Sequence, residues 1–508
     1  MSNEPTNEVT ETGTKLEVDP SRPTRITLRL TKSVKRLNCE RVRFNTDSSI
    51  LMPTGLRVIA AAFEFARDNP GLKLLIASHT DRQGSEESNQ DLSEARAKNV
   101  LLMTTGERNP WIEANGRDNT RLHQDVRQIL AWAHKVWNFP CDPGKVTNDP
   151  KDQKLTDAIS AFKVAFSKRF STNYVERAEV GDVDGAFWAR VFNLYAWTLV
   201  EHLRLDKPAD LKPLVDQLAW VDPEQRSIGC GEKAPLVQTA DGQANDDNRR
   251  TEFLFFTAGQ EPPKLGFESD PDPAAYLKAV YLPKRYKFEP VECPPPLFFG
   301  EEIPEGTVVF VIDVSGSMAP HKENGDRIGV ARRNLNLALD DLPDGTPFGI
   351  VSYSSDVTVL WPDAQARPQV KPANDENRAA ASRWVNALGP LKLTNTYGGL
   401  ERAFQAVGVD AGKPRTIKLL SDGEPTPKAA LEGKTNSVSP QSAADERKRI
   451  LDAVQGWSGG AWRVDTVGLF KSATEKGPLV DFMRALAEQN GGKFTHVAVG
   501  PRQTTPAR

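Results

Sequence analysis

Apolar positions recur at two different periods along this chain, and the changes between them mark its parts. RITLRL (25–30) and RVRF (41–44) have strand character. A helix is predicted in TGLRVIAAAFEFARDNP, where Leu56, Ile59, Ala60 and Phe63 recur at helical spacing and Pro70 stands just beyond the end. LKLLIAS (72–78) then predicts a strand, and DLSEARAKNVLLM a helix of good helix formers. From Gly106 to about Ser227 the period is helical and tryptophan-rich. Leu122, Val126, Ile129, Leu130 and Ala133 form one stripe, and Leu155, Ala158, Ile159, Phe162 and Phe166 another, so these aromatics and aliphatics are expected in a core. Strand character returns near Cys230 and ends in TEFLFF (251–256), after the turn-forming run ADGQANDDN.

Residues 258–305 carry prolines at 262, 263, 271, 273, 283, 290, 294, 295, 296 and 304, which excludes regular helix or central strand over most of that length. Its Phe267, Tyr276, Tyr281, Tyr286 and Phe288 are expected to lie against a neighbouring domain. Beyond residue 306, apolar strands (TVVFVI, FGIVSYS, VTVLW, TIKLLSDG, RVDTVGLF, KFTHVAV) alternate with amphipathic helices. In the helix at 327–342, Ile328, Ala331, Leu335, Ala338 and Leu339 share one stripe. That alternation predicts a mostly parallel sheet with helices on both faces.

At 508 residues the chain has room for about three domains, each able to bury a core. Charged residues at 26% and hydrophobic residues at 38% are those of a globular protein. Lys plus Arg at 65 against Asp plus Glu at 68 leaves a charge of −3 without a basic stripe, so nucleic acid is not an expected partner. No apolar run approaches the roughly 18 residues that would span a bilayer. The polar start MSNEPTNEVTETGTKLEVDP has neither the charged segment nor the apolar segment of a secretory signal. Cys39, Cys141, Cys230 and Cys293 lack metal or redox spacing and are expected as buried or idle thiols, with Cys39 and Cys230 a candidate bridge.

Two constellations carry chemistry. The strand TVVFVI runs into Asp313-Val-Ser315-Gly-Ser317-Met318, so a carboxylate and two hydroxyls stand at the carboxyl end of a buried parallel strand, where open α/β sheets bind ligands. A second strand, TIKLL, ends in Ser421-Asp422-Gly423, and LTNTYGGL between them offers Thr394. Such hard oxygen donors suit a small divalent cation, magnesium or manganese. These segments, in this order over about 305–500, resemble the von Willebrand factor type A domain and its metal-ion-dependent adhesion site. The resemblance implies that Ser315 and Ser317 ligate the metal and that Thr394 completes the shell directly or through water. Asp313 and Asp422 would hold bound waters, leaving one position open for a partner's carboxylate. Thr394 follows Lys-Leu where the family usually has Gly-Gly, so Thr396 competes for its role. No GxSxG elbow or general-base histidine accompanies these residues, and no hydrolytic activity is expected.

The second constellation is ASHTDRQGSEESNQDLSEARAKNV (77–100), with Asp81 just after a strand and Arg96 in the following helix. A carboxylate beside a guanidinium suits a zwitterionic group such as the free end of diaminopimelate in a peptidoglycan stem peptide. His79-Thr80-Asp81, Gly84, Asn89, Leu92-Ser93, Arg96-Ala97 and Val100 resemble an OmpA-like peptidoglycan-binding domain. Phe44, Asn45 and Asp47 fall at its ligand-lining loop, and GCGEKAP with Asn248-Arg249-Arg250 at its closing loop. The resemblance implies Asp81 and Arg96 as the diaminopimelate-binding pair, supported by Thr80, Asn89 and Arg249 or Arg250. Ser78 stands where glycine usually precedes His-Thr-Asp. Within the intervening helices, Val183-Asp184-Gly185-Ala186-Phe187 faintly resembles a peptidoglycan-binding repeat motif, and His123 and His134 lack a third ligand.

The expected organisation is a tail (1–22), an α+β OmpA-like sandwich (23–106 plus 228–257) interrupted by a helical insertion (107–227), a proline-rich linker (258–305), a doubly wound, Rossmann-like von Willebrand factor type A domain (306–500) and a short tail (501–508). The expected function is a non-enzymatic adaptor binding peptidoglycan with one domain and a protein partner through metal with the other, at the cell envelope or periplasm. The missing leader keeps open a cytoplasmic or signal-independently exported protein, including an accessory of a contractile injection or secretion apparatus. A cell-wall hydrolase with its centre in the insertion is a weaker alternative, since no catalytic set is found there.

Overall fold

The computed structural model describes residues 6–8, 25–27, 32–37, 44–45, 47–116, 122–144, 152–171, 179–264, 272, 274–282, 285–292, 295–321, 325–410, 412–435 and 438–499. The chain forms two compact units. One is Met1–Asp125 with Val191–Val200 and Leu205–Cys293; the other is Val126–Arg190 with Glu201–Arg204 and Pro294–Arg508.

The first unit is built on a six-stranded sheet of β1 (Lys32–Leu37), β2 (Lys73–Ser78), β3 (Ala219–Trp220), β4 (Ser227–Gly229), β5 (Thr251–Phe256) and β6 (Tyr286–Val291). Its order is β3-β2-β5-β1-β6, with β4 also paired to β2. TEFLFF is β5, antiparallel to both β1 and β2 and buried at every residue, as befits a central strand. The proline-rich stretch supplies β6 at the sheet edge, where Pro290 costs no ladder bond to a further strand. Of RITLRL, Arg25–Thr27 is a strand paired with Thr6–Glu8. The strand beside β5 is KSVKRL, which the sequence pattern had not marked. Residues 41–43 of RVRF, Phe267, Cys39, Cys293 and residues 501–508 lie outside the described residues.

Helix α1 (Leu56–Asp68) buries Leu56, Ile59, Ala60 and Phe63. Helix α2 (Glu86–Thr105) starts where the Ser85 hydroxyl accepts from the Ser88 amide and stops at Gly106, whose φ of 73° suits a residue without a side chain. Asn89, Ser93, Arg96 and Val100 recur along its buried face. Helices α3 (Arg108–Asn115), α4 (Leu122–Trp137), α5 (Gln153–Phe170) and α6 (Gly185–Leu203) follow. The stripes Val126–Ala133 and Leu155–Phe166 are buried, and Phe162 meets Phe187 edge-on at 5.5 Å.

The second unit holds a seven-stranded sheet. Its elements in chain order are β7 (Thr307–Asp313), α7 (Arg327–Asp341), β8 (Pro347–Tyr353), β9 (Val357–Val359), β10 (Lys371–Pro372), α8 (Asp375–Ala387), α9 (Thr396–Phe404), β11 (Arg415–Ser421), α10 (Pro440–Ser458), β12 (Arg463–Phe470), α11 (Pro478–Gln489) and β13 (Phe494–Ala498). The order is β9-β8-β7-β11-β12-β13, with β10 on β8, and β8, β7, β11, β12 and β13 run parallel. Along β7, Val308, Phe310 and Ile312 enter one core and Val309 and Val311 the other, so the sheet is covered on both faces and doubly wound. The chain leaves β7 toward β8 on one side and returns to β11 on the other, which opens a crevice at the carboxyl ends of β7 and β11.

The carboxyl end of α4 belongs to this second unit and meets α7 and α8. Asn336 Nδ2 and Asn386 Nδ2 donate to the Lys135 carbonyl at 2.8 and 3.0 Å, and the Lys135 ammonium pairs with Asp340.

Candidate functional site

At the crevice, Asp313 is fully buried, its Oδ1 accepting from the Ser315 amide at 2.7 Å and its Oδ2 from the Ser421 hydroxyl at 2.6 Å. The Ser315 and Ser317 hydroxyls stand 3.0 Å apart, and Ser317 Oγ donates to Asp422 Oδ1 at 2.6 Å. Gly423 leaves the cradle between the loops open: a Cβ there would stand 3.1 Å from Ser317 Oγ and 3.7 Å from Thr394 Oγ1. Two carboxylates and three hydroxyls thus gather around one gap, with Ser317 exposed to solvent. This all-oxygen set fits a small hard dication. Among the described residues no group of three or more His, Cys, Asp or Glu forms a metal cluster, because here most of the donors are hydroxyls. Thr396 begins α9 and is buried, while Thr394 is the threonine bordering Gly423.

One member escaped the sequence. Arg327, at the start of α7, ion-pairs with Asp422 Oδ2 and is itself buried. With magnesium bound, Asp313, Asp422 and Arg327 would leave a net charge near +1, which favours an anionic ligand over a neutral one.

Burial, with the Asp422 charge second, lifts the Asp313 carboxyl to about 7, and burial also raises Asp422. The unfolded Asp313 titrates at about 3.9, so between about pH 4 and 7 the folded chain retains a proton that the unfolded chain has lost. Metal-free stability therefore falls as pH rises through that window. A cation must displace the same proton, so magnesium affinity is expected to rise by up to about tenfold per pH unit below pH 7 and then level off. Calorimetric titration across that range tests this, and a flat profile counts against Asp313 as part of the site.

In the first unit, Asp81 follows β2 and is buried. Its Oδ2 accepts from the Asn245 amide at 3.2 Å and pairs with Arg249 Nη1, while Oδ1 accepts from the Gln83 amide at 3.4 Å. Arg96 does not pair with Asp81. Its Nε donates to the Ser48 carbonyl at 2.8 Å, one Nη to the Asn45 carbonyl at 3.0 Å and the other to the His79 carbonyl at 3.4 Å, with the Phe44 ring 4.9 Å from the guanidinium carbon. Burial, with the Arg249 charge second, lowers Arg96 to about 9, so it remains a cation at neutral pH. Thr80 Oγ1 is buried without a hydrogen-bond partner, and Asn89 Nδ2 donates to Glu232 at 2.6 Å. Arg249 thus caps Asp81, whereas Arg250 faces inward, pairing with Glu252 at 2.7 Å and donating to the Ala234 carbonyl.

Two supports were not foreseen. Asp125 from α4 is buried and accepts from Asn45 Nδ2 and Ser48 Oγ, each at 2.6 Å, bracing the loop that Arg96 holds. Beneath the loop, Glu252 accepts from Tyr281 of the proline-rich stretch at 2.6 Å and lies 3.4 Å from His79 Nε2. His79 is lowered by burial and then by Arg250, which leaves it neutral. Cys141 and Cys230 are free, buried thiols pushed up by desolvation. His134 Nδ1 contacts the Phe139 carbonyl at 2.7 Å, and His123 is exposed.

Comparison with known proteins agrees with this architecture. Residues 308–424 match the von Willebrand factor type A domain and residues 43–129 match the OmpA family. The chain is 32% identical over 184 residues to bovine inter-alpha-trypsin inhibitor heavy chain H4, covering 34% of this chain and 18% of that protein. It is 28% identical over 126 residues to the uncharacterized protein YfbK of Escherichia coli, covering 24% of this chain and 20% of that protein. A von Willebrand factor type A structure from Catenulispora acidiphila aligns over 40% of this chain and 41% of its own, with a TM-score of 0.30 and 22% identity.

The molecule is a two-module α/β protein whose recognisable parts are binding domains. More particularly, it contains an OmpA-family domain and a von Willebrand factor type A domain. Domains of these kinds are typically non-enzymatic; the second commonly binds a divalent metal, and the first points to the bacterial cell envelope and to peptidoglycan. No helix among the described residues is long and apolar enough to cross a membrane.

Proposed function

We propose that this chain is an envelope adaptor, gripping the diaminopimelate end of a peptidoglycan stem peptide with its OmpA-family domain and a protein partner with its von Willebrand factor type A domain. The observation that carries this reading is the gathering of Asp313, Ser315, Ser317, Thr394 and Asp422 around the gap left by Gly423. A bound magnesium or manganese ion would supply an electrophilic point for a partner's carboxylate. The chain's own part is to hold the hydroxyls at one strand edge, with Arg327 fixing Asp422 and adding positive charge.

At the other domain, Asp81 is the acceptor for the ligand's ammonium, which would replace Arg249, freeing that guanidinium for the ligand's carboxylate. Arg96 acts from behind by holding the carbonyls of Asn45, Ser48 and His79. The proline-rich stretch contributes β6 to the first sheet, and the helices of the insertion divide between the two units.

Sedimentation of the full chain with insoluble diaminopimelate-type sacculi tests the wall half. Wild type is expected in the pellet with or without magnesium, and Asp81→Ala in the supernatant, a loss of at least about tenfold for a charge-assisted contact. Retention that survives Asp81→Ala overturns it.

A further inference from the structure

The second unit contains a cavity of about 580 Å³ between α4, α5 and the first turns of α7, a volume within the range of small-molecule sites. Its apolar wall includes Trp137, Phe139, Val164 and Ile328. Around that wall stand four cations, Lys168, Arg169, Arg332 and Arg333, and a single carboxylate, Asp326.

The cations divide into two kinds. Arg169 and Arg333 lie over the Trp137 ring, 5.5 and 5.3 Å from its centre, and Arg333 also stands 3.6 Å from Glu201. They brace the aromatic wall. Arg332 and Lys168, from α7 and α5, have no ion-pair partner among the described residues, and the half-buried Arg332 has an Nε that is buried without a hydrogen bond. Asp326, whose Oδ1 caps α7 by accepting from the Gly329 amide at 2.9 Å, makes no ion pair with either and acts on Arg332 only through space, by less than burial does. A guanidinium partly removed from water and given no counter-charge in contact is unfavourable unless something completes it. Burial accordingly lowers Arg332 from its ordinary value.

We propose that this cavity binds a small organic anion, its acidic head held by Arg332 and Lys168 and its aromatic or aliphatic body laid against Trp137 and Phe139. The site is separate from the metal crevice and does not depend on the function proposed for it. Carboxylate and phosphate heads share the required chemistry.

Titration of the full chain with 8-anilinonaphthalene-1-sulfonate, an aromatic anion read by its own emission, tests the site. One saturating site is expected, weakened at least tenfold by Arg332→Glu and, independently, by Lys168→Glu on the exposed end of the other helix, and the same with magnesium as with chelator. Neutral N-phenyl-1-naphthylamine is expected to bind wild type and both charge reversals alike. Competition with naphthoate and with naphthyl phosphate then distinguishes the head groups, displacement by either supporting the site. Circular dichroism confirms that each variant folds; should Arg332→Glu fail to do so, the exposed Lys168→Glu variant decides alone. Dye binding indifferent to Lys168→Glu, or displaced by neither acid, overturns the proposal.

Discussion

Asp422→Ala is expected to abolish the stabilisation that magnesium gives the folded chain. A cation at a hundredfold excess over its Kd adds about 2.7 kcal/mol, which for a unit of this size is an increase in Tm of about 5–10 °C. The variant loses a carboxylate from the all-oxygen set and also leaves Arg327 buried without its counter-charge, a defect of about 3–5 kcal/mol when one partner of a buried pair is removed. The two losses separate experimentally. Asp422→Ala combined with Arg327→Ala should recover much of the metal-free stability yet remain blind to magnesium. Thermal unfolding of the three proteins with magnesium and with chelator reads both effects, and a magnesium shift retained by Asp422→Ala would falsify the assignment of the site.

The second large effect belongs to Arg96. Alanine there would orphan the carbonyls of Ser48 and His79, take from the Asn45 carbonyl one of its two donors and empty the space beside Phe44, at a cost of about 3–5 kcal/mol in urea unfolding. Lysine should rescue little, since one ammonium cannot reproduce a planar fork aimed at three oxygens. Asp81→Ala should be milder for stability, because Arg249 keeps Asp246 as a second counter-charge. A destabilisation by Arg96→Ala below about 1 kcal/mol would mean that water takes over the three carbonyls.

These contrasts explain what the sequence could and could not reveal. The parallel strands of the second unit are buried on both faces, so TVVFVI, TIKLL and RVDTVGLF stand out as apolar runs, and the oxygen donors follow directly at their ends. KSVKRL is nearly silent because only Val34 and Leu37 are apolar, while Arg36 lies over the Phe288 ring and Lys35 pairs with Glu289 in water. The spacing of Asp81 and Arg96 brought both to one loop region, but spacing carries no information on direction, and Arg96 turned to backbone oxygens while Arg249 took the carboxylate. Likewise the stripe on α4 announced a buried face without naming α7 as a neighbour. Arg327 could have been suspected only from its place two residues after Gly325, at the mouth of the helix following the serine loop.

The hydrogen bond from Asn336 to the Lys135 carbonyl joins residues 201 apart in sequence. At roughly 5–20 residues per second, a ribosome needs about 10–40 s to make the second after the first. Through that interval Trp137, whose ring lies under Arg333 in the finished protein, waits for most of its unit to be synthesised. Packing of α4 against α7 and α8 therefore comes late for the helices made earlier. Until then the Trp137 end of α4 stays uncovered on the nascent chain, the kind of transient apolar surface that chaperones hold.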